Sequence, residues 1–284
     1  TGGTFEGTDV AEMEGLPGQA GYALGADGSE LVTINGGTFN SAVDAKDKLI
    51  VSDGTFNGAV IINARGATIT GGTFNGAFSM SAQPDVFSGG TFTQQAVFSS
   101  VSNILTGGEF QKGIKSTDKK LDELLKDNYA LKKTGADAWL STHDHSMLNE
   151  TNESVTVATD PIHSVTLTVN GTSVELDEDK KGRFSVELGT AVTLTASCEG
   201  AMEAPYGTWY PVYEGGGTAW PVQRGTGKSL SYTLPAKDLT VGTHTYRVSF
   251  CSEDPGSSGQ VTGYYKGAEI TITVTKIDIA NVPE

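Results

Sequence analysis

Cysteine, positive charge and long apolar runs are all scarce in this chain. Two cysteines among 284 residues exclude a disulfide-dense scaffold and leave room for one bridge. No stretch stays apolar for the length a membrane crossing needs, so no membrane insertion is expected within this segment. Nineteen lysines and arginines stand against 34 acids, a net charge of −15 that disfavours nucleic acid and anionic lipid surfaces as partners. No phosphate-cradling loop opens a helix, and no serine or cysteine has a supporting histidine nearby. The chain starts inside a repeated phrase and ends in a loose tail over 276–284. It therefore reads as a piece of something longer, with targeting segments expected outside it.

Glycine is abundant, at 37 residues, and much of it belongs to one phrase. Gly-Gly-Thr-Phe, or a close variant, ends at Phe5, Phe39, Phe56, Phe74, Phe92 and Phe110. From Phe39 the phenylalanines step by 17, 18, 18 and 18 residues. The gap from Phe5 to Phe39 is 34, and Gly21-Tyr22 lies at its midpoint, which predicts a degenerate copy there and seven turns in all. A period this short suits one coil of a parallel β-solenoid rather than a helical hairpin.

The columns flanking the Phe support that reading. Five residues earlier stand Ile34, Val51, Ile69, Phe87 and Leu105; four residues later stand Val43, Val60, Phe78, Ala96 and Ile114. Six residues after the Phe come Ala45, Ile62, Met80 and Phe98. Stacked at roughly 4.8 Å per step, each column becomes a ladder facing a shared interior. The expected aromatic ladder is Phe5, Tyr22, Phe39, Phe56, Phe74, Phe92 and Phe110. The paired glycines predict a corner in a backbone conformation that other residues resist. Asn40, Asn57 and Asn75, each following its Phe, are placed to form a polar ladder. Right-handed coiling is the expectation for parallel crossovers.

Along the chain, residues 1–115 read as the solenoid, with the stretch 10–20 bulging out as a loop. Residues 116–140 read as its cap, a helix over 119–126 carrying Leu121, Leu124 and Leu125, then a hairpin about Thr134-Gly135. Residues 141–153 read as a linker. From 154 to 275 short alternating strands recur, including Val165-Leu167-Val169, Trp209 to Val212 and Ile270-Ile272-Val274, which predicts a β-sandwich. Residues 276–284 lead towards a further segment. The fold class expected is all-β.

Two resemblances follow from these residues. Val192 to Cys198, Gly207 to Tyr210 and Gly242 to Val248 resemble strands B, C and F of an immunoglobulin-like domain. The Gly-Gly-Thr-Phe coils with a leucine-rich capping helix resemble the β-solenoid repeats of large cell-surface proteins of gut Firmicutes. Together the resemblances imply an extracellular, wall-associated module and no reaction. They imply as function a rigid spacer or adhesion unit, with a host or bacterial surface protein or glycan as partner. The alternative is a carbohydrate-binding module of a glycan-processing surface protein; a β-helix lyase or hydrolase ranks below both. In the immunoglobulin pattern the bridging cysteines face inward. Cys198 keeps the parity of Val192, Leu194 and Ala196, whereas Cys251 is out of phase with Tyr246, Val248 and Phe250. A bridge between Cys198 and Cys251 is therefore expected only between end loops at one pole.

Chemistry-bearing clusters are few. In the Phe alignment Asp27 with Asp44, and Glu30 with Asp47, share columns on neighbouring coils. That corner could hold Ca²⁺, and the competing reading is a solvated acidic turn eased by Lys46 and Lys48. No other cofactor is indicated. His143-Asp144-His145 offers ligand types without a convergent spacing and reads as a polar loop; Asp177 to Gly182 reads as a charged hairpin tip. The aromatics of the second half are the better lead. Trp209 reads as core, whereas Trp220, Tyr213, Tyr264 and Tyr265 are candidate binding residues that could stack on a sugar or meet a protein partner.

Overall fold

In a computed structural model the chain is all-β, 51% strand and 5% helix, and its first part forms a β-solenoid of about 5 turns. The structure describes residues 4–5, 22–26, 31–46, 48–213, 215, 217, 220–256 and 261–276, the first two segments as backbone only. The chain divides into two compact units, Thr1–Thr159 and Asp160–Glu284.

Each turn of the first unit contributes short strands that pair in parallel with the turns on either side. One sheet carries the phenylalanines in register: Phe5 opposite Phe39, then Phe56, Phe74, Phe92 and Phe110 in succession. A second sheet carries Val43, Val60, Phe78, Ala96 and Ile114 in the same way. Every residue of the three apolar columns read from the sequence is buried in one core. The rings from Phe39 to Phe110 stack almost parallel, with centroids 4.9, 4.8, 4.6 and 4.8 Å apart. The exposed asparagines form the expected ladder, Asn57 donating to Asn40 at 2.8 Å and Asn75 to Asn57 at 2.9 Å.

The predicted seventh rung is corrected. Phe5 pairs directly with Phe39, whereas Tyr22 pairs with Ala42 in the other sheet and Leu24 with Val43. Phe39 to Val43 is a step of four residues and Phe5 to Leu24 a step of nineteen, so one turn carries an insertion of about fifteen. The doubled period is thus one interrupted coil, and Tyr22 is no part of the aromatic ladder. The ring of Phe5 and the stretch 10–20 lie outside the described residues.

The two glycines of the phrase answer to different constraints. The second has positive φ, +99° at Gly72 and +102° at Gly90, where a side chain is strained. A Cβ on the first, at Gly71, Gly89 or Gly107, would collide with the carbonyl oxygen of Ser52, Thr70 or Ser88 in the adjacent coil. Asp53 is accommodated at that first position because the pairing of 32–39 with 49–56 shifts register there. Its Oδ1 accepts from the Gly54 amide at 2.8 Å.

At the C-terminal end the cap covers each of the three faces of the last coil. Val155–Thr159 pairs antiparallel with Glu109–Phe110, Tyr129–Lys133 pairs beyond it, and Glu150–Thr151 pairs antiparallel with Ile114–Ser116. On the third face Leu125 bridges Leu105, and the Ile104 amide donates to the Leu124 carbonyl at 2.9 Å. Antiparallel strands saturate the last rung without offering a further one in the same direction. The expected helix is short, Leu121–Leu124, because Leu125 extends to pair with Leu105 and continue that column. The expected linker over 141–153 is instead cap structure, a helix at Thr142–Met147 and the strand Glu150–Thr151. The boundary read at 154 accordingly moves to 159.

The second unit has a four-stranded and a five-stranded sheet. The first runs Thr172–Val174, Ser164–Val169, Val192–Glu199, Ser229–Leu234. The second runs Lys181–Glu187, Tyr265–Thr275, Gly242–Cys251, Tyr206–Val212, Gln223–Thr226. All neighbours are antiparallel except Lys181–Glu187, which runs parallel to Tyr265–Thr275. Alternate residues of both sheets form one apolar cluster, among them Leu194, Ala196, Val248, Phe250, Ile270 and Ile272. Trp209 is wholly buried within it, its indole N–H donating to the Leu230 carbonyl at 3.1 Å.

Candidate functional site

Strand parity decides which side chains of the five-stranded sheet face outward. Ile270, Ile272, Tyr246 and Val248 point to the core, so Glu269, Thr271, Thr245 and Arg247 stand on the opposite face. Lys181 lies beside Glu269 and Arg183 beside Thr271 on the next strand, while Val212 lies beside Thr245. At one end of this face Thr208, Tyr210, Ser249 and Cys251 are nonetheless buried. There the chain following Cys251 folds back, Arg224 donating to the Gly256 carbonyl and Tyr264 donating its amide to Ser252 Oγ.

The other end is open. An accessible groove of about 620 Å³ is lined by Lys181, Tyr213, Thr243, Thr245, Arg247 and Glu269, with Val212 and His244 also in its wall. Arg247 Nη2 donates to Glu269 Oε2 at 2.9 Å, and the Thr245 and Thr271 hydroxyls are bonded to each other at 3.1 Å. His244 Nε2 lies 2.7 Å from the Thr240 carbonyl. Among the described residues this face carries Lys181, Arg183 and Arg247 with Glu269, which Arg247 engages; Lys181 Nζ lies 4.0 Å from Asp179 Oδ2, Glu187 stands further along the strand of Arg183, and Arg224 stands at the closed end. The floor can hydrogen-bond and attract negative charge. Only the aromatic flank of this site was visible as a motif; its charges come from strands far apart in sequence.

The four aromatic candidates separate into two groups. Trp220 is 75% exposed and Tyr213 63% exposed, on either side of the glycine-rich turn. Tyr264 is instead only 6% exposed, so its expectation as a stacking platform is corrected. Its hydroxyl bonds the buried Asp160 and Lys266 lies 5.5 Å from its ring centroid. Burial pushes the Asp160 carboxyl above its ordinary value, against the lowering effect of the Tyr264 bond. Tyr265 is half-buried opposite Cys251.

Of the acidic corner, Asp27, Glu30 and Asp47 lie outside the described residues. Asp44 sits mid-strand, paired across to Gly25 and Ile61, with its Oδ1 buried and unpartnered. Among the described residues no group of three or more potential ligands converges on a metal position.

The expected disulfide is corrected: Cys198 and Cys251 are free, buried thiols. Cys198 belongs to the core between the sheets, whereas Cys251 points to the outer face beneath the 252–256 and 261–264 segments, the parity difference its sequence phase implied. Burial raises the Cys198 thiol to about 11, leaving little thiolate at neutral pH. Asp177 to Gly182 forms the expected hairpin tip, the Lys181 amide donating to Asp177 Oδ1 at 2.9 Å.

His143-Asp144-His145 lies in the Thr142–Met147 helix, not in a loop. Ser141 caps that helix, its hydroxyl accepting from the Asp144 amide at 3.0 Å. His145 points into the cap, where Nε2 accepts from the Leu131 amide at 3.0 Å and Nδ1 donates to the Ser141 carbonyl at 2.9 Å. Both bonds together require the neutral ring. Burial holds His145 below the ordinary imidazole value despite the raising influence of the Ser141 bond, Asp122 and Asp144. An unfolded chain therefore takes the proton first as pH falls, so this stabilisation is complete above about pH 6.5 and is lost progressively below it. The melting temperature of the solenoid unit is expected to drop between pH 7.5 and 5.5, and the drop to shrink in His145→Gln. Equal pH dependence in the two proteins would remove this role.

Comparison with family models, with curated proteins and with solved structures returns no match.

Proposed function

We propose that the chain is a non-enzymatic module of a bacterial cell-surface protein, extracellular and wall-associated, in which the solenoid is a rigid spacer and the second unit an adhesion element. The observation that carries the spacer reading is the unbroken stack from Phe39 to Phe110, closed at its end by the cap. Each turn is held by its neighbours and lacks a core of its own, so the stack resists deformation as a unit.

The reading of the second unit as an immunoglobulin-like sandwich draws on connectivity. Val192–Glu199 lies between Ser164–Val169 and Ser229–Leu234, as strand B does between A and E. Gly242–Cys251 lies between Tyr206–Val212 and Tyr265–Thr275, as F does between C and G. Buried Trp209 occupies the C-strand core position. The free cysteines depart from the bridged antibody pattern.

Glycan binding is favoured as the second reading by exposed Trp220 and Tyr213, rings a sugar face can cover. A polysaccharide panel tests both readings against catalysis. Pectins, glycosaminoglycans and wall glucans incubated with excess protein and calcium are expected to yield no reducing ends and no unsaturated products. Product formation that disappears in Asp44→Asn would make the acidic corner an active site and overturn the proposal.

A further inference from the structure

Resting on the glycan-binding reading, we infer that the open groove on the five-stranded sheet, lined by Tyr213, Lys181 and Arg247 with Arg183 on the neighbouring row of the same face, binds a carboxylate-bearing saccharide such as a uronic or sialic acid residue. Charge supplies the first argument. The chain carries 34 acids against 19 bases, yet among the described residues the groove is lined by two cations, Lys181 and Arg247, and one carboxylate, Glu269, with Arg183 on the neighbouring row and Glu187 two rows beyond Arg183. That inversion of the overall balance creates a local positive field in a negative protein, and it selects an anionic ligand.

Geometry supplies the second argument. Lys181 and Arg247 stand on strands either side of the one carrying Glu269, two interstrand spacings or roughly 10 Å apart. Arg183 sits one row along, two residues from Lys181 on the same face. Glu269 engages one guanidinium nitrogen of Arg247, Nη2. It orients the planar fork while the remaining N–H groups retain donor capacity for a carboxylate.

The surroundings favour a sugar over an acidic peptide. The floor between the cations is hydroxyl-lined, with Thr243 and Thr245 in the groove and Thr271 beside Thr245. Tyr213, 63% exposed at its edge, offers a ring face to the C–H face of a pyranose. An acidic peptide would need a deep apolar anchor pocket, whereas this groove sets hydroxyls between its cations and has Pro211, Val212 and Tyr246 as shallow apolar lining.

The test is titration of the intact chain with trigalacturonate and with sialyllactose, each beside an uncharged counterpart, methyl-esterified trigalacturonate and lactose. At least one acidic sugar is expected to bind, at least tenfold more tightly than its counterpart and more weakly as salt is raised. Arg183→Gln and Tyr213→Ala are each expected to weaken binding at least tenfold with unchanged melting temperature. Arg247→Gln should do the same; because it leaves Glu269 unpaired, Arg183→Gln keeps the test independent of folding. Equal affinity for the neutral sugars, no effect of Arg183→Gln, or equally tight binding of a poly-glutamate peptide would each overturn the inference. Neutral-glycan binding lost in Trp220→Ala but kept in Arg183→Gln would overturn it while leaving the broader glycan reading intact. Absence of binding to any glycan tested would remove both.

Discussion

Replacing Phe74 by alanine is expected to destabilise the solenoid unit by about 3–5 kcal/mol, the range for a fully buried aromatic. Phe74 sits mid-stack at 1% exposure, 4.8 Å from Phe56 and 4.6 Å from Phe92, with the Phe78 ring edge-on at 5.3 Å. Its removal deletes two stacking contacts and one edge contact and leaves a cavity between coils. Those coils cannot close up, because their backbones are held at the strand spacing by the ladder hydrogen bonds. For a domain of this size the melting temperature should fall by roughly 10 °C. The half-exposed Val86, changed to alanine, serves as a control expected within about 0.5 kcal/mol. A Phe74→Ala protein melting with the wild type would show that the ring ladder does not hold the solenoid together.

Gly89→Ala is expected to be comparably damaging, although it adds only a methyl group. The new Cβ meets the carbonyl oxygen of Thr70 in the adjacent coil, a backbone atom without a rotamer to turn aside. Relief requires the two coils to separate, which strains pairing along the whole rung, so the cost should reach or exceed the roughly 1–3 kcal/mol usual for overpacking. Gly217→Ala, in an open turn with nothing near its Cβ, should be almost silent. Asp53→Gly should cost about 1 kcal/mol or less, since it removes one cap-like bond from Asp53 to the Gly54 amide. Loss of soluble protein or a large drop in melting temperature in Gly89→Ala, beside normal Gly217→Ala, is the expected pattern. Normal melting of Gly89→Ala would mean that the coils are not in backbone contact at this corner.

The first unit was legible because a solenoid writes its contacts locally. A residue facing the interior in one coil must be matched some 18 residues later, so Val51, Ile69 and Phe87 disclose their shared column by spacing alone. The same logic failed at Tyr22. A single insertion of about fifteen residues has nearly the length of a coil, and counting cannot distinguish an interrupted turn from two turns. It failed again in the cap. Leu121, Leu124 and Leu125 have helical spacing, but pairing with Leu105 draws Leu125 into an extended conformation. Val155–Thr159 alternates like the strands that follow it, and only its antiparallel pairing with Glu109–Phe110 assigns it to the first unit.

The candidate site was legible in part. Exposed Trp220 and Tyr213 flank a glycine-rich turn, a signal available from residue order. Tyr264 carried the same signal and is buried, because the chain folding back over the sheet end brings its hydroxyl to Asp160. The parity of Cys251 already spoke against a core bridge, and its burial on the outer face agrees.

By itself, then, the sequence determined the period, the interior columns, the Asn ladder and the need for a cap, since each follows from what must repeat between adjacent coils. Only the tertiary structure decided the number of turns, the end of the first unit at Thr159, the unbridged state of the cysteines and the cationic groove. Lys181, Arg247 and Glu269 come from separate strands, and Arg183 joins them through pairing to Thr271. Nothing within any one strand marks that partnership. Long-range pairing register, which brings residues more than sixty positions apart to one face, is the quantity that local pattern leaves open.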